Sequence, residues 1–432
     1  MAAHRPHRRG RRALVAMLAL LSAAAPLGAT AAAARQSSGT GPPTESPLVT
    51  LPSGGRAPPA IHAPEAIAVD ERTGMPLFEK HSAARRPIAS TTKLMTAYIA
   101  LRTTRPDQVF VAQRYPASPG ESTLGLEPGE RMTAGDLLDA LLLASANDAA
   151  ATLAHGIAGS EAAFVARMNA EAGRLGLRDT RYANPIGLDD PNGYSSARDL
   201  ATLARKLMDD PRFRAIVGRR QARLESGAHP RKIVNRNDLV GAYRFVDGVK
   251  TGHTSGAGWV LVGAGRRHGA SVISVVMGEP SQADRDSETL SLLRYGLRRY
   301  AHVSVRASRT VKLVMVKDYT ARAPLRPGRD LDAEVLRGSS VTLRVYAPPI
   351  VRGPIPPGGR VGEVALAADG RQVAEAPLVA AEPVPGTSFG RRLVIKLSNG
   401  DATLGAGVLA AAVILAMRLS RSAMLTRRRS GA

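Results

Sequence analysis

The pattern of apolar and polar positions changes character several times along the chain. AIAVD (Ala66–Asp70), a turn at ERTG and PLFEK (Pro76–Lys80) read as a two-stranded hairpin. Apolar residues spaced by three and four then predict helices over Ser90–Arg102, Thr133–Leu143, Asp148–Ile157, Ser160–Leu175 and Ala197–Met208. Strand-like stretches follow: VDGVKTGHT, GWVLVGAG and, after the turn RRHG, ASVISVVMG. A helix over Ala283–Tyr300 closes the block. Helices packed on an antiparallel sheet built from both ends of residues 63–301 give an α/β (α+β) domain with a helical subdomain. From His302 to residue 394, stretches such as VKLVMV, SVTLRVY and EVALAADGRQVAEAPLVAA alternate apolar and polar residues between turns, which predicts a small all-β domain.

The two ends follow other rules. Residues 1–35 combine a charged region (Arg8–Arg12), an apolar run (Ala13–Ala25) and small residues at 29–34, the build of a signal peptide. Residues 36–62 are rich in Ser, Gly and Pro and are expected to form a disordered linker. ATLGAGVLAAAVILAM (Ala402–Met417) carries no charge and is followed by Arg418, Arg421 and Arg427–Arg429. It is slightly short of the ~20 residues that span a bilayer, a gap that snorkelling arginine can close. The expectation is a transmembrane anchor over 402–417, a basic cytoplasmic tail over 418–432 and the rest of the chain outside.

The 432-residue chain has a net charge of +23, which invites a nucleic-acid reading. Eleven of its arginines lie in the first 35 residues or after Met417, and removing them leaves 23 − 11 = +12. The remainder is scattered, without aromatics interleaved for base stacking, so no nucleic-acid partner is expected. The absence of cysteine excludes thiol catalysis, disulfides and Cys-ligated zinc. The histidines show no ligand spacing, so no zinc site is expected. Asp189 and Asp190 sit in a Gly/Pro-rich loop and read as turn formers. Arg198 and Asp199 read as capping and surface charge, and Trp259 as core.

Three short stretches carry candidate chemistry. In PIASTTKLMTAYIALR, Ser90 and Lys93 stand at i and i+3 where a helix begins, on one face. A neutral lysine could take the serine proton, and the helix N-terminus favours a developing oxyanion. Taken alone, the stretch reads more readily as an N-cap serine with a solvated lysine. In LLLASANDAA, Ser145 and Asn147 interrupt two helical patterns; they are either caps or a hydroxyl and an amide facing a cleft. In GVKTGHTSGAGW, Lys250, Thr251 and Gly252 lie on a strand, either as surface positions or as a cation, a hydroxyl and an open backbone for a carboxylate-ended peptide. The ordered set SxxK, SxN and KTG is far more specific than any of its parts, because it is the set of penicillin-interacting serine enzymes.

With these motifs the sequence resembles the D-alanyl-D-alanine carboxypeptidases, the low-molecular-mass penicillin-binding proteins of the serine peptidase type. The resemblance runs from about Ala63 to Leu393 and includes IASTTKLMTA, LLLASANDAA, NPIGLDDPNGYSSARDLATLA, VDGVKTGHT and the β-domain segment PIPPGGRVGEVALAADGRQVAEAPLVAAEPV. It implies a serine transpeptidase/β-lactamase-like domain followed by a β-sandwich-like stalk, without metal or cofactor. It implies that Ser90 is the acylated nucleophile, Lys93 its general base and Ser145 a proton relay. Asn147 would hold the substrate amide, and Lys250 and Thr251 the terminal carboxylate. Gly252 would let substrate backbone approach. The backbone N–H groups of Ser90 and His253 would form the oxyanion hole, the His253 side chain taking no part in catalysis. The implied substrate is a peptidoglycan stem peptide in the bacterial cell envelope, with β-lactams as inhibitors. Ile88 stands where the family often has proline. No E-x-x-L-N segment lies between Ser145 and Lys250, so efficient β-lactam hydrolysis is not expected. A D,D-endopeptidase acting on cross-links and a catalytically idle wall- or penicillin-binding protein are the competing readings.

Overall fold

The computed structural model describes residues 43–53, 57–388, 390–392 and 395, with residues 407, 410, 411, 413 and 414. The expected signal peptide and cytoplasmic tail lie outside the described residues. Of the expected anchor only residues 407, 410, 411, 413 and 414 are described, and they are helical and exposed. Among the described residues no helix is long and apolar enough to cross a membrane.

A five-stranded antiparallel sheet organises the first domain, in the spatial order Pro76–Lys80, Glu65–Asp70, Ala270–Glu279, Gly258–Arg267, Val246–Thr254. Its strands come from both ends of the domain, as the sequence pattern predicts. The apolar runs are nearly continuous because both faces of the sheet are buried. Ile67, Val69, Val260, Val262, Ile273 and Val275 point into one core, shared with the helical subdomain. Their alternates Ala66, Ala68, Leu261, Val272 and Val276 point into a second core with Leu290, Leu292 and Leu293 of the helix Gln282–Arg298. Small residues let that helix sit close: a Cβ on Gly263 would come within 2.7 Å of Thr289.

The helical subdomain contains Lys93–Thr103, Ala134–Asp139, Asn147–Ala158 and Glu161–Leu175. Side-chain caps fix several starts: Ser160 accepts from Ala163 N and Ser196, before the helix Ala197–Met208, accepts from Asp199 N. Asp199 is more than a cap and surface charge. It is buried and also accepts from Asp179 N and Thr180 Oγ1, tying the loop before its own helix.

The β-domain holds a seven-stranded sheet and a separate pair, Tyr300–Val305 with Leu331–Leu336. Alternate residues such as Val314, Val316, Leu343, Val345, Val364 and Leu366 fill its core. Tyr300 ties the start of this domain to the first one by donating to Asp70 Oδ2 at 2.5 Å. One edge strand of the large sheet differs from expectation. Residues 44–50, read as disordered linker, form the strand Thr44–Thr50 paired antiparallel with Ser340–Tyr346. The composition is too polar to fold alone. The strand takes its order from an open sheet edge, Leu48 packed on the β-domain core and an Arg344–Glu45 ion pair at 2.6 Å.

Candidate active site

The chain enters the first helix through a tight turn, Ala89–Thr92, ahead of Lys93–Thr103. Ala89 has φ 47°, a left-handed conformation that a non-glycine residue adopts at a cost of about 1 kcal/mol or more. The turn is held from both sides by glycines. A Cβ on Gly187 would meet Ala89 O at 2.0 Å, and one on Gly252 would meet Ile88 O at 3.1 Å and Ser90 N at 3.2 Å. Ser90 makes no side-chain cap, and Lys93 is fully buried, so the reading as an N-cap with a solvated lysine fails. Lys93 Nζ donates to Ser90 Oγ at 2.8 Å and to Ile186 O at 2.7 Å. Burial brings its pKa down to about 7, with Arg236 pushing the same way and Glu121 and Asp148 opposing.

The second motif sits where the helix Ala134–Asp139 widens into a π turn, Ala140–Ala144. That turn ends at Ser145, which has φ 62°. The wider turn and the left-handed residue aim the Ser145 hydroxyl inward, and it is 3% exposed. Lys250 Nζ, on the strand Val246–Thr254, donates to Ser145 Oγ at 2.9 Å and to Thr251 O at 3.0 Å. Burial pushes the Lys250 pKa well below its usual value, and the neighbouring Lys93 and Arg236 add to the shift. Two serine–lysine pairs therefore meet in one cleft, with the Lys93 charge opposing a proton on Lys250.

Asn147 opens the next helix and is buried; its Nδ2 donates to Glu121 Oε2 at 2.7 Å. Thr251 and Gly252 follow Lys250 on the strand, both buried, while the His253 side chain is exposed and stacks on Trp259 at 4.1 Å. Trp259 is therefore a half-exposed platform and not core, with the Arg285 guanidinium 5.3 Å from its ring centroid. Asp189 accepts from Thr254 Oγ1 at 2.6 Å and Gly256 N at 3.0 Å, tying the loop of Gly187 to the end of the strand. Asp190 closes an Asx turn on Asn192 N at 2.7 Å. Among the described residues no cluster of His, Cys, Asp or Glu could hold a metal ion.

The sequence pattern did not single out Glu121, Tyr115 or Arg236. Tyr115 and Asn147 both donate to the Glu121 carboxylate. Arg236 Nε donates to Ala144 O at 2.9 Å, and its guanidinium is an exposed cation beside both lysines. None of the three belongs to a spaced motif. Glu121 lies in a Gly/Pro-rich loop and Arg236 is one of many arginines.

Comparison with known proteins follows the same lines. A family model described as D-alanyl-D-alanine carboxypeptidase matches residues 54–281. The chain is 30% identical to D-alanyl-D-alanine carboxypeptidase DacF of Bacillus subtilis, over 80% of this chain and 91% of that protein. It is 31% identical to DacA of Escherichia coli, over 77% of this chain and 86% of that protein. The structure is similar to that of the carboxypeptidase DacD from Francisella tularensis, with a TM-score of 0.56 and 26% identity over 77% of this chain and 96% of that one. It is also similar to a Streptomyces DD-transpeptidase, with a TM-score of 0.54 and 30% identity over 56% of this chain and 99% of that one. The chain thus belongs to the D-alanyl-D-alanine carboxypeptidase family of serine peptidases.

Proposed function

We propose that this chain is a serine-type D-alanyl-D-alanine carboxypeptidase that removes the terminal D-alanine from peptidoglycan stem peptides through a Ser90 acyl-enzyme. The observation that carries this reading is Lys93: fully buried, 2.8 Å from Ser90 Oγ, with its pKa at about 7. A lysine in that state is a base at neutral pH.

Neutral Lys93 takes the hydroxyl proton as Ser90 Oγ bonds to the carbonyl carbon between the last two D-alanines. The backbone N–H groups of Ser90 and His253 receive the negative charge that develops on the carbonyl oxygen. The C–N bond then breaks. The leaving amine takes the proton that Lys93 accepted, relayed through the Ser145 hydroxyl that Lys250 holds, and D-alanine departs. Neutral Lys93 then takes a proton from the water that adds to the Ser90 ester, and returns it to Ser90 Oγ as the ester bond breaks and the shortened peptide leaves.

Asn147 holds a substrate amide, and Lys250 and Thr251 draw the terminal carboxylate, with exposed Arg236 adding to the attraction. Gly252 lets the strand lie close against the Ser90 turn, and the strand offers its backbone to an extended peptide. A β-lactam acylates the same serine and leaves an ester that clears slowly. The likeness to a DD-transpeptidase favours a second fate for the acyl-enzyme, transfer to an amine in place of water.

The test is mass spectrometry of a stem pentapeptide ending in D-Ala-D-Ala incubated with the protein. The expected product is lighter by one alanine, and Ser90→Ala abolishes both this product and covalent penicillin labelling. Label persisting on Ser90→Ala would refute the assignment. For location, the reading is export by residues 1–35 and attachment to the outer face of the membrane by residues 402–417. Fractionation of cells making the chain with and without residues 402–432 tests it: loss of membrane association only in the shortened chain is the expected result.

A further inference from the structure

The loop between the short strands Val109–Val111 and Arg131–Thr133 runs beside the start of the helix Asn147–Ala158. It is clamped to the second motif: Asn147 N donates to Ser122 O at 2.7 Å, and Asp148 accepts from Leu124 N at 2.9 Å and Leu126 N at 3.0 Å. At its tip sits Glu121, whose Oε2 accepts from Tyr115 OH and Asn147 Nδ2 and whose Oε1 accepts from Ser118 N at 3.0 Å. An ionised carboxylate only accepts, so it dictates which end of the Asn147 amide faces it. The amide nitrogen must point at Glu121. Asn147 Oδ1 is thereby turned the other way, and it is buried without a hydrogen-bond partner among the described residues. A buried acceptor in that state is costly until a donor arrives, and a substrate N–H is such a donor.

We infer that Glu121 is a positioning residue for the acyl transfer: it locks the Asn147 carboxamide in the orientation that offers Oδ1 to the substrate. The inference rests on the reading of this cleft as the site of Ser90 acylation. Glu121 stays ionised for the task. Partial burial acts to raise its pKa, but the hydrogen bonds from Tyr115, Asn147 and Ser118 outweigh this and hold it below the usual value. Its charge also reaches Lys93, which is faced by Glu121 and Asp148 on one side of the balance and by Arg236 and Lys250 on the other.

Glutamine at position 121 can present either an oxygen or an N–H, so Glu121→Gln frees the Asn147 amide to flip and removes one negative charge from beside Lys93. The experiment measures KM and kcat for a peptide ending in D-Ala-D-Ala, and the pH dependence of penicillin acylation, on the full-length protein. The expected result is a KM raised about tenfold, with a smaller change in kcat. The acid limb of acylation should move to lower pH, because Lys93 then loses its proton more readily. Glu121→Asp should recover most of the KM. Tyr115→Phe leaves the carboxylate in place with one hydrogen bond fewer and should raise KM by a smaller factor. Unchanged KM in both Glu121→Gln and Tyr115→Phe overturns the inference. So does a uniform loss of kcat with an unmoved acid limb and no recovery in Glu121→Asp, which is what a merely structural role would give. Penicillin labelling of Ser90 in the parent protein keeps the two readings apart: no label there removes the acylation reading itself, whereas normal label with an indifferent Glu121→Gln removes only this inference.

Discussion

Lys93 Nζ lies 2.8 Å from Ser90 Oγ with no exposed surface of its own, and among the described residues its one other hydrogen-bond partner is the Ile186 carbonyl, at 2.7 Å. Neither partner is a carboxylate, so nothing in direct contact compensates the buried charge, and the pKa falls to about 7. The base must be neutral to accept the serine proton. Penicillin acylation should therefore rise with pH through about 7 and level off above it. Lys93→Ala should abolish acylation at every pH while the circular dichroism spectrum is retained. A rate independent of pH between 5 and 9 would exclude Lys93 as the base.

The second serine–lysine pair predicts a different phenotype. Ser145 Oγ accepts from Lys250 Nζ at 2.9 Å, so Ser145→Ala removes a proton path but leaves the nucleophile and its base in place. Turnover of the peptide should fall by about a hundredfold, a common cost for the loss of one acid–base group. Ser90 should still be labelled by penicillin, more slowly. Stopped-flow acylation and steady-state peptide release separate the two steps.

Gly187 and Gly252 support the same turn but should fail in different ways when substituted. At Gly187 φ is +90° and a Cβ would lie 2.0 Å from a backbone oxygen, so the main chain itself must move. Gly187→Ala is expected to cost about 3 kcal/mol of stability, with loss of acylation following from it. At Gly252 the nearest contacts are 3.1–3.2 Å, a shift of a few tenths of an ångström. Gly252→Ala should cost about 1 kcal/mol yet slow acylation more than tenfold, because the displaced group is the Ser90 turn. Thermal unfolding beside penicillin acylation rates distinguishes the two.

These positions mark the limit of what the sequence made legible. Regular elements were readable because apolar spacing is a local signal: the helix Ala197–Met208 and the strands Val246–Thr254 and Ala270–Glu279 lie where the pattern predicts them. The three motifs were readable because their order and spacing are specific. The burial of Lys93 was not, since the groups that enclose it come from loops remote in sequence, Ile186 among them. Strand Thr44–Thr50 was missed because its order is borrowed from strand Ser340–Tyr346, about 300 residues away. Trp259 was misjudged for a related reason: apolar content predicts burial, but here His253 and Arg285 take the place of a core. Glu121 became visible only once the fold brought it to Asn147.

The loop that carries Glu121 is anchored at its base by Glu130. That carboxylate accepts from Arg231 Nη1 at 2.7 Å and Nη2 at 3.1 Å, and from Ala228 N and Glu127 N. Both side chains are nearly buried, 3% exposed for Glu130 and 11% for Arg231. Burial alone would raise the Glu130 pKa, but the paired hydrogen bonds from Arg231 and the two N–H groups outweigh it and bring the value to about 2. The folded state thus holds this proton less tightly than the unfolded chain, whose glutamate titrates near 4.5. The stabilisation is fully present above that pH and is lost as the pH falls from 4.5 toward 2. Glu130→Gln leaves Arg231 buried against an amide and should cost about 3 kcal/mol at pH 7. The difference in melting temperature between Glu130→Gln and the parent protein should narrow steadily below pH 4.5, because the parent's carboxyl is then itself becoming neutral. A difference that stays constant from pH 7 to pH 2.5 would show that the ion pair is not what holds the loop.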